Sequence, residues 1–338
     1  MKAAVLRSFG SPLEIEERAD PVLGQGDILV ELTACGVCHT DLHAVRGDWP
    51  LKPRLPLIPG HEGTGSVAAV GPGVTAWRVG DRVGVPWLHS ACGSCRHCRR
   101  GWSNLCAYQK CTGYLVDGAF AGLVRARADF VAAIPEGLGM IDAAPLMCAG
   151  LTTFKGLREM DVEQGAWVAV FGAGGLGHLG IQYARAMGRR VAAVDIAPSR
   201  LEMAQALGAE LTIDASAEDP VRRVQRELGG VEGVLMTAVS PAAFRQGLGM
   251  LDRHGTMVVL ALPPGEFQVP VLDLVLGRKT VRGSIVGTPQ DLAEALDMAV
   301  RSGIRARCRE EPLEAVNEVL RELEQGKIDG RAVLRVGD

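Results

Sequence analysis

Apolar and polar positions divide the chain into two regimes. Over roughly the first 130 residues, short apolar runs rich in β-branched side chains are bounded by glycine and proline. Ile28-Leu29-Val30-Glu31-Leu32 and Gly65-Ser66-Val67-Ala68-Ala69-Val70 are examples, and they predict strands. Pro59-Gly60 and Gly71-Pro72-Gly73 mark turns. From Gly165 the pattern becomes strand–helix alternation. Residues 166–171, 190–194, 233–236 and 257–262 predict strands; 176–187 and 201–207 predict helices. Such alternation implies an α/β fold with a parallel sheet and right-handed crossovers. In the tail, residues 291–300 predict one amphipathic helix. Leu313, Val316, Val319, Leu320 and Leu323 form the stripe of a second, ending before Gly326.

A length of 338 residues suggests about two domains, and 47% hydrophobic with 22% charged residues excludes a disordered chain. The net charge of −3 offers no basic bias toward phosphates, so nucleic acid is not an expected partner. The segment Met1 to Arg7 turns polar too soon for a signal peptide. Residues 164–184 lack Asp, Glu, Lys and Arg over a membrane-like length. They contain Gly172, Gly174, Gly175, Gly177, Gly180 and His178, which suit a buried strand and a glycine turn instead. A soluble, cytoplasmic protein without a membrane partner is expected. Nine cysteines, an odd number, point to metal ligands and free thiols in a reducing compartment.

Between Val85 and Cys111 apolar periodicity gives way to Cys, Arg, His and Gly. Such a lobe cannot bury its own core and needs another staple. Cys92, Cys95, Cys98 and Cys106 follow C-x2-C-x2-C-x7-C, a spacing that lets four thiolates close around one structural Zn²⁺. Disulfides and an iron–sulfur cluster are the alternatives. The compartment speaks against the first; the missing Pro after the last Cys and the lack of a second cluster run speak against the second. Ligand chemistry is also dense from Cys35 to His43, in Pro59-Gly60-His61-Glu62-Gly63, and at Cys148. On spacing alone, Cys148 reads as a buried thiol and His61 as a turn residue as readily as ligands.

Gly172-Ala173-Gly174-Gly175-Leu176-Gly177 matches G-x-G-x-x-G, after a predicted strand and at the opening of a helix. Backbone N–H groups there would approach a pyrophosphate at the helix N-terminus. Asp195, ending the next predicted strand, would bond ribose hydroxyls and repel a 2′-phosphate, which favours NAD; Arg200 would suit that phosphate instead.

Gly36-Val37-Cys38-His39-Thr40-Asp41-Leu42-His43, the 59–63 turn, the four-cysteine lobe, Cys148-Ala149-Gly150 and Gly174-Gly175-Leu176-Gly177 occur in this order. Together they resemble the zinc-dependent medium-chain alcohol dehydrogenases, in their bacterial and yeast-like tetrameric branch, over essentially the whole chain. The resemblance implies a GroES-like β-rich catalytic domain over 1–150 with the zinc lobe at 92–106. It further implies a Rossmann doubly wound NAD-binding domain over 151–286 and a return to the catalytic domain over 287–338. Cys38, His61 and Cys148 become the catalytic zinc ligands, the Cys2His set already known for alcohol dehydrogenase. Two zinc ions per chain follow. Glu62 would approach the metal during ligand exchange, and Asp41 would accept the other N–H of His61. Cys35, Cys111 and Cys308 are left as packing thiols.

By the same resemblance, a basic residue at Arg200 accompanies NAD, and His39 lies near the pyrophosphate. Val239, Leu260, Leu262, Ser284, Val286 and Arg331 fall at cofactor contacts. Thr40 and His43 would relay the proton, their alternatives being a helix cap and a solvated helix residue. Trp49 and Trp87 would narrow the substrate site, favouring ethanol and propanol. The implied activity is reversible oxidation of primary alcohols to aldehydes by hydride transfer to nicotinamide, in a homotetramer. A zinc dehydrogenase of secondary alcohols, polyols or formaldehyde adducts is the same-class alternative. A redox sensor using Cys38 and Cys148 as thiols is the other, and it would hold one zinc rather than two. A zinc-free quinone reductase is disfavoured by the presence of both metal sets.

Overall fold

The computed structural model describes residues 1–263 and 265–337. The chain divides into two compact units, one formed by Met1–Cys148, Gly287–Val300 and Arg305–Asp338, the other by Ala149–Val286 and Arg301–Ile304.

In the second unit, six parallel strands lie in the order Leu211–Asp214, Arg190–Asp195, Trp167–Phe171, Val231–Met236, Leu251–Val259, Thr280–Gly283. This is the doubly wound order of a dinucleotide-binding sheet, and it reverses direction at Trp167–Phe171. That strand is buried from Val168 onward, because helices on both faces of a parallel sheet leave no wet side. Ala169, Phe171, Val194, Val234, Met236 and Met257 belong to one continuous core cluster.

The sequence places one strand too late. Residues 257–262 are continuously apolar, yet the strand is Leu251–Val259 and takes in the polar Asp252-Arg253-His254. Leu260 and Ala261 leave the ladder and donate their N–H groups to the Met236 carbonyl. The early part is irregular, with a register shift opposite Val231/Gly233 and His254 at φ 66. Hydrophobic pattern alone could not show a strand that enters through a polar, bulged stretch. The helix expected at 201–207 also starts earlier, at Pro198, where proline fits the first turn.

The first unit is built on a seven-stranded sheet. Its longest member, Asp27–Gly36, pairs with Gly63–Val70, Leu123–Arg127 and Arg331–Arg335. Ile28, Val30 and Leu32 point into one core with Val67, Val83 and Val124, as period-two alternation requires. Helix Val316–Glu324, preceded by the 3₁₀ turn Leu313–Ala315, lays Val316, Val319 and Leu320 on the same core. The cysteine lobe has little regular structure: Leu88–Ser90 pairs with Lys110–Cys111, and Arg96–Arg99 makes one helical turn. Among the described residues no helix is long and apolar enough to cross a membrane.

His89, on strand Leu88–Ser90, is 9% exposed. Burial, then the charge of Arg125, with Arg127 adding and Asp27 opposing, holds its imidazole down at about 4 against an ordinary 6.5. The folded state thus refuses a proton that the unfolded chain accepts. Its contribution is whole above pH 6.5 and is lost as pH falls toward about 4, costing as much as ~3 kcal/mol. His89→Gln is expected to flatten that part of the acid decline in denaturant titrations; an unchanged decline contradicts this account.

Candidate active site

Three strand ends bring the chemistry of the first unit together. Strand Asp27–Gly36 runs out into Val37-Cys38 and helix His39–Arg46. His61-Glu62 leads into strand Gly63–Val70, and Arg331 opens strand Arg331–Arg335. The register pairs Cys35 with both Gly63 and Leu334, so these ends are neighbours. Cys148 follows the 3₁₀ turn Ala144–Met147. As a result one ligand atom from each of Cys38, His61, Glu62 and Cys148 lies within 4.8 Å of the others, and all four residues are buried.

Asp41 organises this set. Its Oδ2 accepts the backbone N–H of Cys38 at 2.8 Å; its Oδ1 accepts that of Gly60 at 3.2 Å and lies 3.0 Å from His61 Nδ1. Both Asp41 and His61 are 1% exposed. With Nδ1 committed to the carboxylate, Nε2 is the free ring nitrogen. It is buried and has no hydrogen-bond partner among the described residues. Burial opposes a charged His61, but Asp41 and Cys38 raise its pKa well above the ordinary value. The Cys38 thiol is pushed well down, first by the hydrogen bond from Cys148 and, against burial, by His61; Cys148 is pushed up in turn. Two buried sulfurs and an oriented, unpartnered imidazole nitrogen fit Zn²⁺.

Arg331 is buried beside this set. Its guanidinium ion-pairs with Glu62, the two being 3% and 0% exposed. Burial pushes the Glu62 carboxyl up to about 7, with the Arg331 charge opposing. Glu62 Oε2 keeps no hydrogen-bond partner among the described residues. A Cβ at Gly36 would lie 1.9 Å from that oxygen, so the glycine makes room for the carboxylate. The pairing was not legible in sequence; a charged residue opening the apolar strand Arg-Ala-Val-Leu-Arg was the one available hint.

Thr40 is half-buried in the first turn of helix His39–Arg46, and His39 is exposed. Thr40 is not the cap: Cys38 holds that position, and Asp41 supplies the reciprocal bond. His43 Nδ1 lies 2.9 Å from Asp48 Oδ1, and its ring stacks on Trp49 at 5.0 Å. Trp87 meets the His61 ring edge-on at 5.2 Å, and Trp49 meets Trp87 at 6.3 Å. Tyr114, which the sequence did not single out, packs against Trp49 at 5.2 Å and Trp87 at 5.7 Å.

In the cysteine lobe the four sulfurs lie within 4.8 Å of one another, and all nine cysteines are free of disulfides. The N–H groups of Cys95, Cys98 and Tyr108 point at the sulfurs of Cys92, Cys95 and Cys106 at 3.4, 3.5 and 3.4 Å. Backbone donors of this kind stabilise thiolates; those of Ser94 and Cys95 hold Cys92 down at about 6. The donor set fits one tetrahedral metal ion. Cys35 donates to its neighbour's carbonyl at 3.4 Å, and Cys35, Cys111 and Cys308 stand outside both sets.

In the second unit the glycine turn links strand Trp167–Phe171 to helix Gly177–Ala186, with Gly175 and Leu176 leading into the helix. Gly172 has φ 93, and a Cβ at Gly177 would lie 1.7 Å from the Gly172 carbonyl oxygen. Around Gly174 the nearest group is the Arg200 guanidinium at 3.8 Å, so this side of the turn stays open. Asp195 Oδ2 accepts the N–H of Ala173 at 2.7 Å, while Oδ1 accepts those of Ile196 at 2.8 Å and Ala197 at 3.1 Å. A helix start with no side-chain cap beside an aligned carboxylate fits a dinucleotide. Val239 and Leu262 are exposed, Leu260 and Val286 buried, and Ser284 donates its N–H to Val259 at 3.1 Å.

The parallel sheet with its glycine turn and the buried thiol–imidazole set define a zinc-binding dehydrogenase. Family models agree: residues 24–136 match the alcohol dehydrogenase GroES-like domain and residues 175–301 match the zinc-binding dehydrogenase domain. The chain is 54% identical over 334 residues to the alcohol dehydrogenase of Moraxella sp. (strain TAE123), covering 99% of each. It is 49% identical over 336 residues to one from Geobacillus stearothermophilus, again covering 99% of each. The crystal structure of the alcohol dehydrogenase of Aeropyrum pernix superposes with a TM-score of 0.91 at 33% identity, over 99% of this chain and 100% of that one. The chain belongs to the zinc-dependent medium-chain alcohol dehydrogenase family.

Cys95→Ser removes one of four sulfurs from a segment with almost no core. It is expected to lower zinc content by one ion per chain and Tm by ~5 °C or more. Metal analysis with a thermal melt checks this; an unchanged Tm with full zinc would overturn the structural role.

Proposed function

We propose that this protein catalyses the reversible, NAD-dependent oxidation of small primary alcohols such as ethanol and propanol to aldehydes, using one catalytic and one structural zinc per chain. The observation that carries the reading is the buried, unpartnered His61 Nε2 facing the Cys38 and Cys148 sulfurs behind the edge of Trp87. When bound, the zinc supplies a Lewis acid that lowers the alcohol pKa, and the nicotinamide supplies the hydride acceptor. Cys38, His61 and Cys148 hold the metal. Glu62, withdrawn onto Arg331, makes no hydrogen bond at its other oxygen among the described residues and stands by for ligand exchange.

The Thr40 hydroxyl takes up the alcohol proton, and His43, one turn further on and partly exposed, releases it to water. Asp48 holds His43 Nδ1, leaving Nε2 for the proton. Trp49 and Trp87 exclude water and branched chains. The glycine turn at Gly172, Gly174, Gly175, Leu176 and Gly177 receives the pyrophosphate, and Asp195 with Arg200 receives the adenosine ribose. His39, Val239, Leu260, Leu262, Ser284, Val286 and Arg331 complete the cofactor contacts. The enzyme works in the cytoplasm as a homotetramer, on small-molecule substrates only. The aliphatic face of helix Val271–Gly277, with Val271, Leu272, Val275 and Leu276 exposed, supports self-association.

The proton path predicts a graded series. Thr40→Ala is expected to lose kcat severely while keeping zinc, and Thr40→Ser to keep most of it. His43→Gln should lose ~10²-fold or less, since water partly replaces it, with small amine buffers restoring part. An active, zinc-loaded Thr40→Ala enzyme would end the relay. The cofactor reading predicts that Asp195→Ala raises KM for NAD and relaxes discrimination against NADP. Because Asp195 also holds the Ala173 N–H, some loss of Tm accompanies it. Kinetics with both cofactors decide the point, and an unchanged NAD/NADP ratio would remove Asp195 from the selection.

A further inference from the structure

We infer that Tyr114 is a positioning residue that sets the width of the alcohol site, through a hydroxyl tether on the loop carrying Trp49. Residues 112–114 join three parts of the wall. Thr112 donates its N–H to the Trp87 carbonyl at 2.8 Å and its hydroxyl to the Pro86 carbonyl at 2.8 Å. Gly113, at φ 68, lies so close to Gly60 that a Cβ there would sit 2.5 Å from the Gly60 oxygen. Residue 113 is therefore locked to the turn that carries His61. Tyr114, 3% exposed, then donates its hydroxyl to the Leu51 carbonyl at 2.7 Å.

The loop it reaches leans on helix His39–Arg46 through Asp48 and Trp49, both against His43, and has no such anchor among the exposed residues after Trp49. It starts at Gly47, a left-handed helix end at φ 59 where a Cβ would lie 2.5 Å from the Phe9 ring. Beyond that anchor, Asp48 and Pro50 are exposed and the Leu51 side chain is 64% exposed. Yet this loop places Trp49 against Trp87, which itself lies against His61. The Trp49 loop is thus held on its helix side by Gly47 packing and the His43 contacts, and on its far side by the Tyr114 hydroxyl. A phenyl ring in its place keeps the stack but frees the loop end.

The inference rests on reading Trp49 and Trp87 as the wall of an alcohol site, and the experiment separates the two. Tyr114→Phe is made in the zinc-loaded, full-length enzyme. Amide hydrogen exchange is followed in peptides spanning 47–55, and kinetics are measured with ethanol and 2-methyl-1-propanol. Exchange in that segment is expected to quicken. The kcat/KM ratio of branched over linear alcohol is expected to rise about tenfold, the low end of what one methylene is worth in an apolar pocket. KM should carry most of the change, with kcat for ethanol, zinc content and Tm near wild type. Wild-type exchange in the variant overturns the tether. Faster exchange with wild-type selectivity overturns its role in specificity. A wild-type enzyme that does not prefer ethanol to the branched alcohol overturns the alcohol-site reading itself, independently of the exchange result.

Discussion

The buried carboxylate of Asp41 is the constraint on which the first unit's site depends. It joins a helix start at Cys38 to a turn at Gly60-His61, segments some twenty residues apart, and orients the imidazole between them. At 1% exposure such a charge is tolerable only when its oxygens are occupied. Here three N–H groups meet them, two from backbone and one from the ring. The same contacts that make the carboxylate tolerable also leave His61 Nε2 aimed at the two sulfurs. Stability of the buried charge and readiness of the ligand are one arrangement.

Beside it stands the ion pair of Glu62 and Arg331, also out of water. Buried pairs gain little over apolar replacements, but losing one partner leaves a bare charge. The pair therefore acts as a unit and keeps a carboxylate next to the donor set without forcing it onto a ligand position. Gly36 provides the room, and no larger residue would fit without moving Glu62. Around these charges the sheet core of Ile28, Val30, Leu32 and Val67 supplies the rigidity. The cysteine lobe lacks such a core and depends on its four sulfurs instead.

What the sequence made legible follows from how local each cause is. Period-two runs at 28–32 and 65–70 and the strand–helix alternation after Gly165 reflect burial of neighbouring residues, so strands appear where those patterns do. The stripe of Val316, Val319 and Leu320 is equally local. Where polar residues entered a strand, at Asp252-Arg253-His254, the pattern misled. The C-x2-C spacing of the lobe was readable because one turn of backbone brings the sulfurs together. Cys38, His61 and Cys148 meet only through sheet register, so spacing left them open and family resemblance joined them. Glu62 and Arg331 are 269 positions apart, and nothing local announces their pairing. Tyr114 was missed for the same reason: its meaning lies in a carbonyl at Leu51.

The second unit uses the same device with a different outcome. Asp195, 6% exposed, already accepts three backbone N–H groups, tying the Ala173 end of the glycine turn to the strand that precedes Ile196. An ionised carboxylate offers about four acceptor sites. Three are spent on the chain itself, which leaves about one. That economy holds the carboxylate fixed against the glycine turn. It also means that the turn and the carboxylate are aligned before any nucleotide arrives, and little ordering is left to be done on binding. In both units a buried aspartate first organises the backbone around it, and its chemistry is what the leftover lone pairs and the freed neighbouring atoms can do.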